Sequence, residues 1–256
     1  MAVRSRALLG VAALLFAACT TVTVVWGASM SAVGGMAMPG GWTLSMTWMR
    51  MPGRTWLGAA ASFIAMWVIM MAAMMLPSLV PMLWRYREAV AAAGARRVGR
   101  LTALVGAGYF SVWTLFGMSA FPLGIALAGV AMRLPAAARA VPVAAGAIVL
   151  LAGALQLTGW KARQLECCRR MPEAGIGADA VSAWAHGLRL GRHCSFCCCG
   201  LTASLLAVGA MDLRAMALVT AAVNIERIAG ERVARAIGVA IMGTGIVLIA
   251  RAAGVD

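Results

Sequence analysis

Charged residues, and acidic residues above all, are scarce in this sequence. Its 256 residues include 8 aspartates and glutamates, 22 lysines and arginines, and two histidines. A soluble domain needs more charge to cover its surface, so the composition excludes an ordinary water-soluble protein. There is also no nucleophile elbow, phosphate-binding loop, paired catalytic carboxylate or metalloprotease motif. An enzymatic activity is therefore not the expected one.

Long apolar runs fill most of the chain. Hydrophobic residues make up 63% of it, and a bilayer core of about 30 Å requires about 20 apolar residues per helix. The sequence therefore predicts an all-α fold, a polytopic transmembrane helical bundle that crosses the lipid bilayer about seven times. The predicted spans are 7–27, 55–76, 101–121, 142–160, 196–211, 213–227 and 236–252.

The predicted organisation has three parts. The first apolar run continues to Trp26, which is too long for the core of a cleaved signal peptide. We therefore interpret 1–27 as an uncleaved membrane anchor. Residues 28–54 form a predicted external loop rich in methionine, tryptophan and glycine. The bundle follows at 55–252, and it includes a cytoplasmic segment, 161–199, that carries cysteines and both histidines.

Basic residues flank the predicted spans unevenly. With a cytoplasmic N-terminus, 16 of the 22 lysines and arginines face the cytoplasm and 6 face outside. Positive residues favour the cytoplasmic side of a membrane, so this orientation is the predicted one. The net charge of the chain is +14, and its basic residues lie mainly at the ends of the apolar runs, where they orient helices. No basic stripe is interleaved with stacking aromatics, so a nucleic-acid partner is not expected.

Six of the seven cysteines lie in or beside the cytoplasmic segment. On this reducing side we expect metal-binding or redox-active thiols rather than disulfides. Cys194, Cys197 and Cys198 follow an i, i+3, i+4 spacing, which places three sulfurs on one helix face. His193 could add an imidazole. The alternative is that these cysteines are small apolar fillers of a membrane helix.

Methionine sulfur forms two further groups. Met66, Met70 and Met74 recur every four residues along the second predicted span, and Met71 and Met75 belong to the adjacent stripe. The external segment carries a second set, Met30, Met36, Met38, Met46, Met49 and Met51. Either group can serve as flexible packing. Thioethers also hold Cu(I), even where thiols would oxidise.

The predicted topology brings these soft ligands to one depth near the cytoplasmic leaflet. The second span arrives there with Met70–Met75, the fifth begins at Cys194, and the sixth ends with Glu226. Glu226 either joins the sulfur ligands or pairs with the adjacent Arg227 or with solvent. His186 either reaches the cluster or stays solvated in its loop.

Three prolines and a single lysine complete the pattern. Pro77 and Pro81 are expected to interrupt the second helix near its inner end, and Pro122 to kink or end the third. Lys161, the only lysine of the chain, is interpreted as an ordinary snorkelling side chain.

Several of these elements resemble one known family, the bacterial predicted metal-binding integral membrane proteins, which is catalogued as a domain of unknown function. The resemblance covers roughly residues 55–250. It lies in Met66-Trp67, Met70, Ala73-Met74-Met75-Leu76-Pro77, Lys161, Cys168-Arg169, His186-Gly187, Cys194-Ser195-Phe196-Cys197-Cys198 and Glu226-Arg227. The chain departs from the family pattern at Gln164, where the family has a cysteine, and at Cys199, where it has a tryptophan. The resemblance implies metal binding in a bacterial cytoplasmic (inner) membrane, but no reaction.

We predict a membrane protein that binds or handles a soft transition metal. Copper is favoured over zinc, the alternative, because methionine sulfur adds little to a zinc site. The candidate ligands are Cys194, Cys197, Cys198, His193, Met70, Met74, Met75, Cys168, His186 and Glu226. Two other functions stay open: a membrane thiol–disulfide oxidoreductase, and a transporter or channel that passes copper from the external methionines to the inner thiols. The predicted partners are the bilayer and the metal ion.

Overall fold

The computed structural model describes residues 2–49, 53, 55–169, 177–209 and 212–254. Within them the fold has eight α-helices and one two-stranded antiparallel hairpin. The helices are α1 (Ala2–Val33), α2 (Trp56–Ala92), α3 (Val98–Arg133), α4 (Pro135–Gln156), α5 (Gly159–Arg169), α6 (Ala180–Val208), α7 (Leu213–Ala229) and α8 (Glu231–Ala252). The hairpin pairs β1 (Gly35–Met38) with β2 (Trp42–Ser45). The predicted helical class is confirmed, with the hairpin as an unpredicted addition.

Five of the described helices are long and apolar enough to cross a membrane, namely α1, α2, α3, α4 and α8. The predicted fifth and sixth spans correspond to the second part of α6, a helix of 29 residues, and to α7, which has 17. Neither is among the five. A count of seven spans therefore stays a prediction.

Helix α2 lies at the centre of the bundle. In its most apolar window 61% of the residues are buried, against 17–28% in α3, α4 and α8. Its buried aromatic residues fix it against α3: Trp67 donates a hydrogen bond from Nε1 to the Trp113 carbonyl at 2.9 Å, and Phe63 packs on Phe121. An apolar helix enclosed by other helices is the expected core of such a bundle.

Two helices continue through prolines: Pro77 and Pro81 were expected to interrupt α2, and Pro122 was expected to kink or end α3. Helix α2 runs through Pro77 and Pro81 to Ala92, and α3 runs through Pro122 to Arg133. The predicted interruption is therefore wrong. Pro77 and Pro81 are four residues apart and both exposed, so their missing N–H groups affect one face only. The opposite face of α2 stays buried, and its packing holds the helix together.

Helices α3 and α6 approach each other closely because glycines remove side chains where they cross. A Cβ atom at Gly187 would lie 2.2 Å from the Val105 carbonyl oxygen, and one at Gly108 would lie 2.6 Å from that of Trp184. The backbones can meet this way only while both positions lack a side chain. This contact brings the side chains of α3 onto the buried face of α6.

The described part of the predicted loop, within 28–49, contains regular secondary structure. Helix α1 extends to Val33, and the hairpin packs beside the start of α4, where Trp42 donates from Nε1 to the Ala138 carbonyl at 2.8 Å. Met38 is buried in this small core, so it serves packing. Met51 lies outside the described residues.

Candidate metal centre

The buried face of α6 carries three cysteines. Cys194, Cys197 and Cys198 are 1%, 2% and 0% exposed, whereas Phe196 between them is 49% exposed. Cys199 is turned away and half-buried. The i, i+3, i+4 spacing therefore places three sulfurs together inside the protein, as the sequence predicts.

Helix α5 adds a fourth buried thiol to this face. Cys168 donates to the His193 carbonyl at 3.4 Å, and its side chain also contacts that of Cys197. Cys197 in turn contacts Cys198, and Cys198 contacts Cys194. We call these four residues, Cys168, Cys194, Cys197 and Cys198, the thiol cluster. Each of them is a free thiol.

One methionine of α2 reaches the thiol cluster. The Sγ atom of Cys194 lies 3.9 Å from the Sδ atom of Met75, and both side chains are buried. Sulfur from two separate helices thus meets, as predicted. Met70 faces away toward α1 and α7, where it lines a small cavity. Next to Met75, the Met74 carbonyl accepts a hydrogen bond from Asn224 at 3.5 Å.

A buried arginine and a buried tyrosine surround Cys194. Arg227 of α7 donates from Nη2 to Cys194 Sγ at 2.7 Å and lies 3.7 Å from Cys198 Sγ. The Tyr109 hydroxyl of α3 donates to Cys194 Sγ at 2.8 Å. Neither residue was among the predicted ligands. The sequence could have indicated both residues, because a polar side chain inside an apolar helix is a candidate for a functional role.

Lys161 and Glu226 form a buried ion pair beside the cluster. Lys161 Nζ lies 2.5 Å from Glu226 Oε1 and donates to the Cys197 carbonyl at 2.6 Å. Gln156 donates to the second oxygen of Glu226 at 2.8 Å. The snorkelling interpretation of Lys161 is therefore wrong, and Glu226 pairs with this lysine rather than with Arg227. Burial acts to lower the Lys161 pKa, but Cys197 and Glu226 together raise it, so the ammonium stays charged.

The two histidines occupy different surroundings. His193 is half-buried, with Nδ1 3.6 Å from the Sγ atom of Cys167, on the side of α5 that adjoins the cluster. His186 stacks on Tyr86 with ring centroids 5.2 Å apart, two helical turns before the thiols. Burial and, to a lesser extent, a neighbouring arginine lower the pKa of each imidazole, which favours the neutral form. The structure brings His193 near the cluster, but not His186.

The donor atoms at this centre suit a soft ion of low coordination number. The contacts within the thiol cluster are pairwise, and among the described residues no three His, Cys, Asp or Glu side chains are grouped so that they could hold one metal ion. A tetrahedral zinc site would need four such ligands, or three with an open position. Cys194, Cys198 and Met75 instead offer two thiols and one thioether, which are the donors that Cu(I) favours.

Comparison with known proteins adds one finding. A family model described as PpoB2, copper chaperone, matches residues 64–248. The matched region contains the thiol cluster and the side chains around it. No curated protein and no solved structure matches the chain.

Proposed function

This chain belongs to the PpoB2 family, whose description is copper chaperone, and we propose that it holds Cu(I) between Cys194 and Cys198 with Met75 beside them. The observation that carries the proposal is the 3.9 Å approach of Met75 Sδ to Cys194 Sγ. It joins a thioether of α2 to thiols of α6 in a buried space. Thiolate and thioether sulfur are soft ligands that select Cu(I), whereas zinc gains little from a thioether.

Charge balance supports two thiolates as the ligands of the ion. The Lys161–Glu226 pair is neutral, so Arg227 leaves one positive charge that is not balanced by a carboxylate. A buried charge of this kind needs a partner. One Cu(I) and two thiolates sum to a single negative charge, which the guanidinium balances. The Nη2 atom of Arg227 lies nearest to Cys194 and Cys198, so these two are the proposed thiolates.

Release of the ion is proposed to proceed from the buried thiol cluster past Cys168 toward the protein surface. Cys168 continues the thiol contacts from Cys197 toward the half-buried pair of Cys167 and His193. Cu(I) passes between proteins by exchange of sulfur ligands, and this requires a donor that an acceptor can reach. Cys167 with a neutral His193 imidazole meets that requirement on the predicted cytoplasmic side.

A location in the bacterial cytoplasmic membrane, with seven spans and a cytoplasmic N-terminus, is part of the proposal. Large apolar side chains are exposed around the helical bundle, and such a belt suits lipid rather than water. Prominent members of the belt are Leu14, Leu57, Leu123, Leu151, Leu218 and Ile228. Helices α6 and α7 supply the two further spans in this arrangement.

Metal analysis of the detergent-purified protein tests the copper site. After loading with Cu(I) and removal of excess, we expect about one tightly held equivalent in the wild type and its loss in a Cys194→Ser/Cys197→Ser/Cys198→Ser variant. The matched control is Cys199→Ser, which changes the same helix outside the buried face and should retain the ion. Equal, near-zero copper in the wild type and the triple variant would refute the proposal.

The same proteins separate copper binding from the alternative of a thiol–disulfide oxidoreductase. Cys197 and Cys198 are consecutive residues in a helix, where a disulfide would be strained. Thiol trapping in cells should therefore show the cluster fully reduced. A population with a disulfide inside the cluster would favour the redox function instead.

A further inference from the structure

A small cavity between α1, α2 and α7 is lined by three methionine residues. Met66 and Met70 of α2 and Met216 of α7 line it, and α1 contributes Trp26 and Thr23. The three methionines are 7%, 1% and 6% exposed. The cavity has room for about one water-sized group. The cavity thus brings together two methionines one helical turn apart on α2 and a third from α7.

The lining of the cavity favours a soft monovalent cation over a hard ion. No carboxylate, histidine or thiol is among the described residues that line it. The Thr23 hydroxyl already donates to the Cys19 carbonyl at 2.7 Å, so it is not a free donor. A hard divalent ion would find no charged oxygen here. Three thioethers suit Cu(I) or Ag(I), and the Trp26 ring can add a cation–π contribution.

The cavity is distinct from the thiol cluster because the two use different faces of α2. Met66 and Met70 are one turn apart on one face, whereas Met75 lies about 140° around the helix from Met70. Met70 is also about 7.5 Å nearer the start of α2, which is its outer end in the predicted topology. An ion in the cavity would therefore lie outward of the thiols.

We propose that Met66, Met70 and Met216 form a second metal site, which binds Cu(I) or Ag(I) through thioethers alone and more weakly than the thiol cluster does. Neutral thioethers are weaker donors than thiolates, so an ion at this site would gain affinity on moving inward. A role of this second site as the first binding site for copper that moves to the thiol cluster rests on the proposed function. The existence of the second site does not depend on the proposed function.

Silver binding in a cysteine-free protein tests the site. A variant with all seven cysteines changed to alanine removes every thiol, and Ag(I) serves as a redox-stable probe. We expect this variant to bind about one Ag(I), with a sulfur shell visible by X-ray absorption. Adding Met70→Leu and Met216→Leu should abolish that equivalent, since leucine conserves volume and removes sulfur. Met82→Leu, a half-buried methionine elsewhere on α2, is the matched control.

Two results would overturn the second site. They are the absence of bound Ag(I) in the cysteine-free variant, and an equivalent that persists after both leucine substitutions. Each single variant, Met70→Leu or Met216→Leu, should also lower Ag(I) affinity at least tenfold, which covers the case in which the pair fails to fold. Failure of the thiol site would instead appear as unchanged copper binding in the triple cysteine variant, so the two proposals fail separately.

Discussion

At the scale of single residues, the contact between Arg227 and Cys194 is the basis of the charge balance proposed for the thiol cluster. The Arg227 guanidinium donates to the Cys194 sulfur at 2.7 Å, and burial of both groups strengthens this interaction. The remaining nitrogens of Arg227, Nε and Nη1, have no partner among the described residues. The charge of this residue is therefore available to the cluster and to an ion bound there.

We predict that Arg227→Met weakens Cu(I) binding by roughly tenfold or more, the effect expected from losing a hydrogen bond to a charged group. Arg227→Lys keeps the charge and should lose less affinity. Competition against a chromophoric Cu(I) chelator measures both variants. Equal losses in the two would show that the side chain acts through its shape, and the charge-balance proposal would then be wrong.

The sequence predicts the sulfur atoms of the centre better than their partners. Cys194, Cys197 and Cys198 share a face because helix geometry alone sets the direction of residues three and four apart. Which side chain of another helix reaches them depends on how that helix is rotated and displaced. Arg227 and Tyr109 were therefore missed, although each is a polar residue inside an apolar helix.

At the scale of helices, close packing of α3 against α6 positions the centre. The contact depends on glycine, and it holds the α3 hydroxyl of Tyr109 against Cys194. A pattern of apolar residues predicts that both helices exist, but it contains no information on which pair of helices packs at backbone distance. The same limit explains the prolines of α2: packing of the buried face overrides the local tendency of proline to end a helix.

We predict that Gly187→Ala destabilises the protein and weakens Cu(I) binding together. The new Cβ would meet the Val105 carbonyl at 2.2 Å, so the helices must separate, at a cost of about 1–3 kcal/mol for overpacking. Separation also lengthens the hydrogen bond between Tyr109 and Cys194. The thermal midpoint in detergent and the Cu(I) affinity should both fall.

The control for that substitution is Gly106→Ala on α3. A Cβ there has nothing within 4 Å, and alanine is the better helix former, so stability should be unchanged or slightly higher. Loss of stability in both variants would mean that general sensitivity to substitution, rather than the contact between α3 and α6, is responsible.

At the scale of the whole molecule, helix α2 is longer than the apolar core of a bilayer is thick. Helix α2 has 37 residues and is about 55 Å long, against an apolar core of about 30 Å. In the proposed membrane arrangement, the second half of α2, beyond Met75, extends past the core on the side where α5 and the start of α6 lie. The apolar runs predict helices of about 20 residues, but they could not predict how far α2 continues, because charged residues are equally compatible with a helix in water.

The side on which the connection between α6 and α7 lies distinguishes five spans from seven. The two arrangements place every other connection between helices on the same side of the membrane. Seven spans put this connection outside, whereas five leave it in the cytoplasm.

In a cysteine-free background, single cysteines at three exposed positions distinguish the two arrangements: Thr43→Cys in the hairpin, Ala185→Cys early in α6, and Arg214→Cys in the first turn of α7. We expect a membrane-impermeant maleimide to label positions 43 and 214 in intact cells, and position 185 only after permeabilisation. If position 214 is labelled only after permeabilisation, α6 and α7 lie on the cytoplasmic side and the five-span arrangement is correct. If position 185 is labelled in intact cells, the predicted orientation is wrong. The thiol cluster would then lie in an oxidising compartment, where free thiols do not persist.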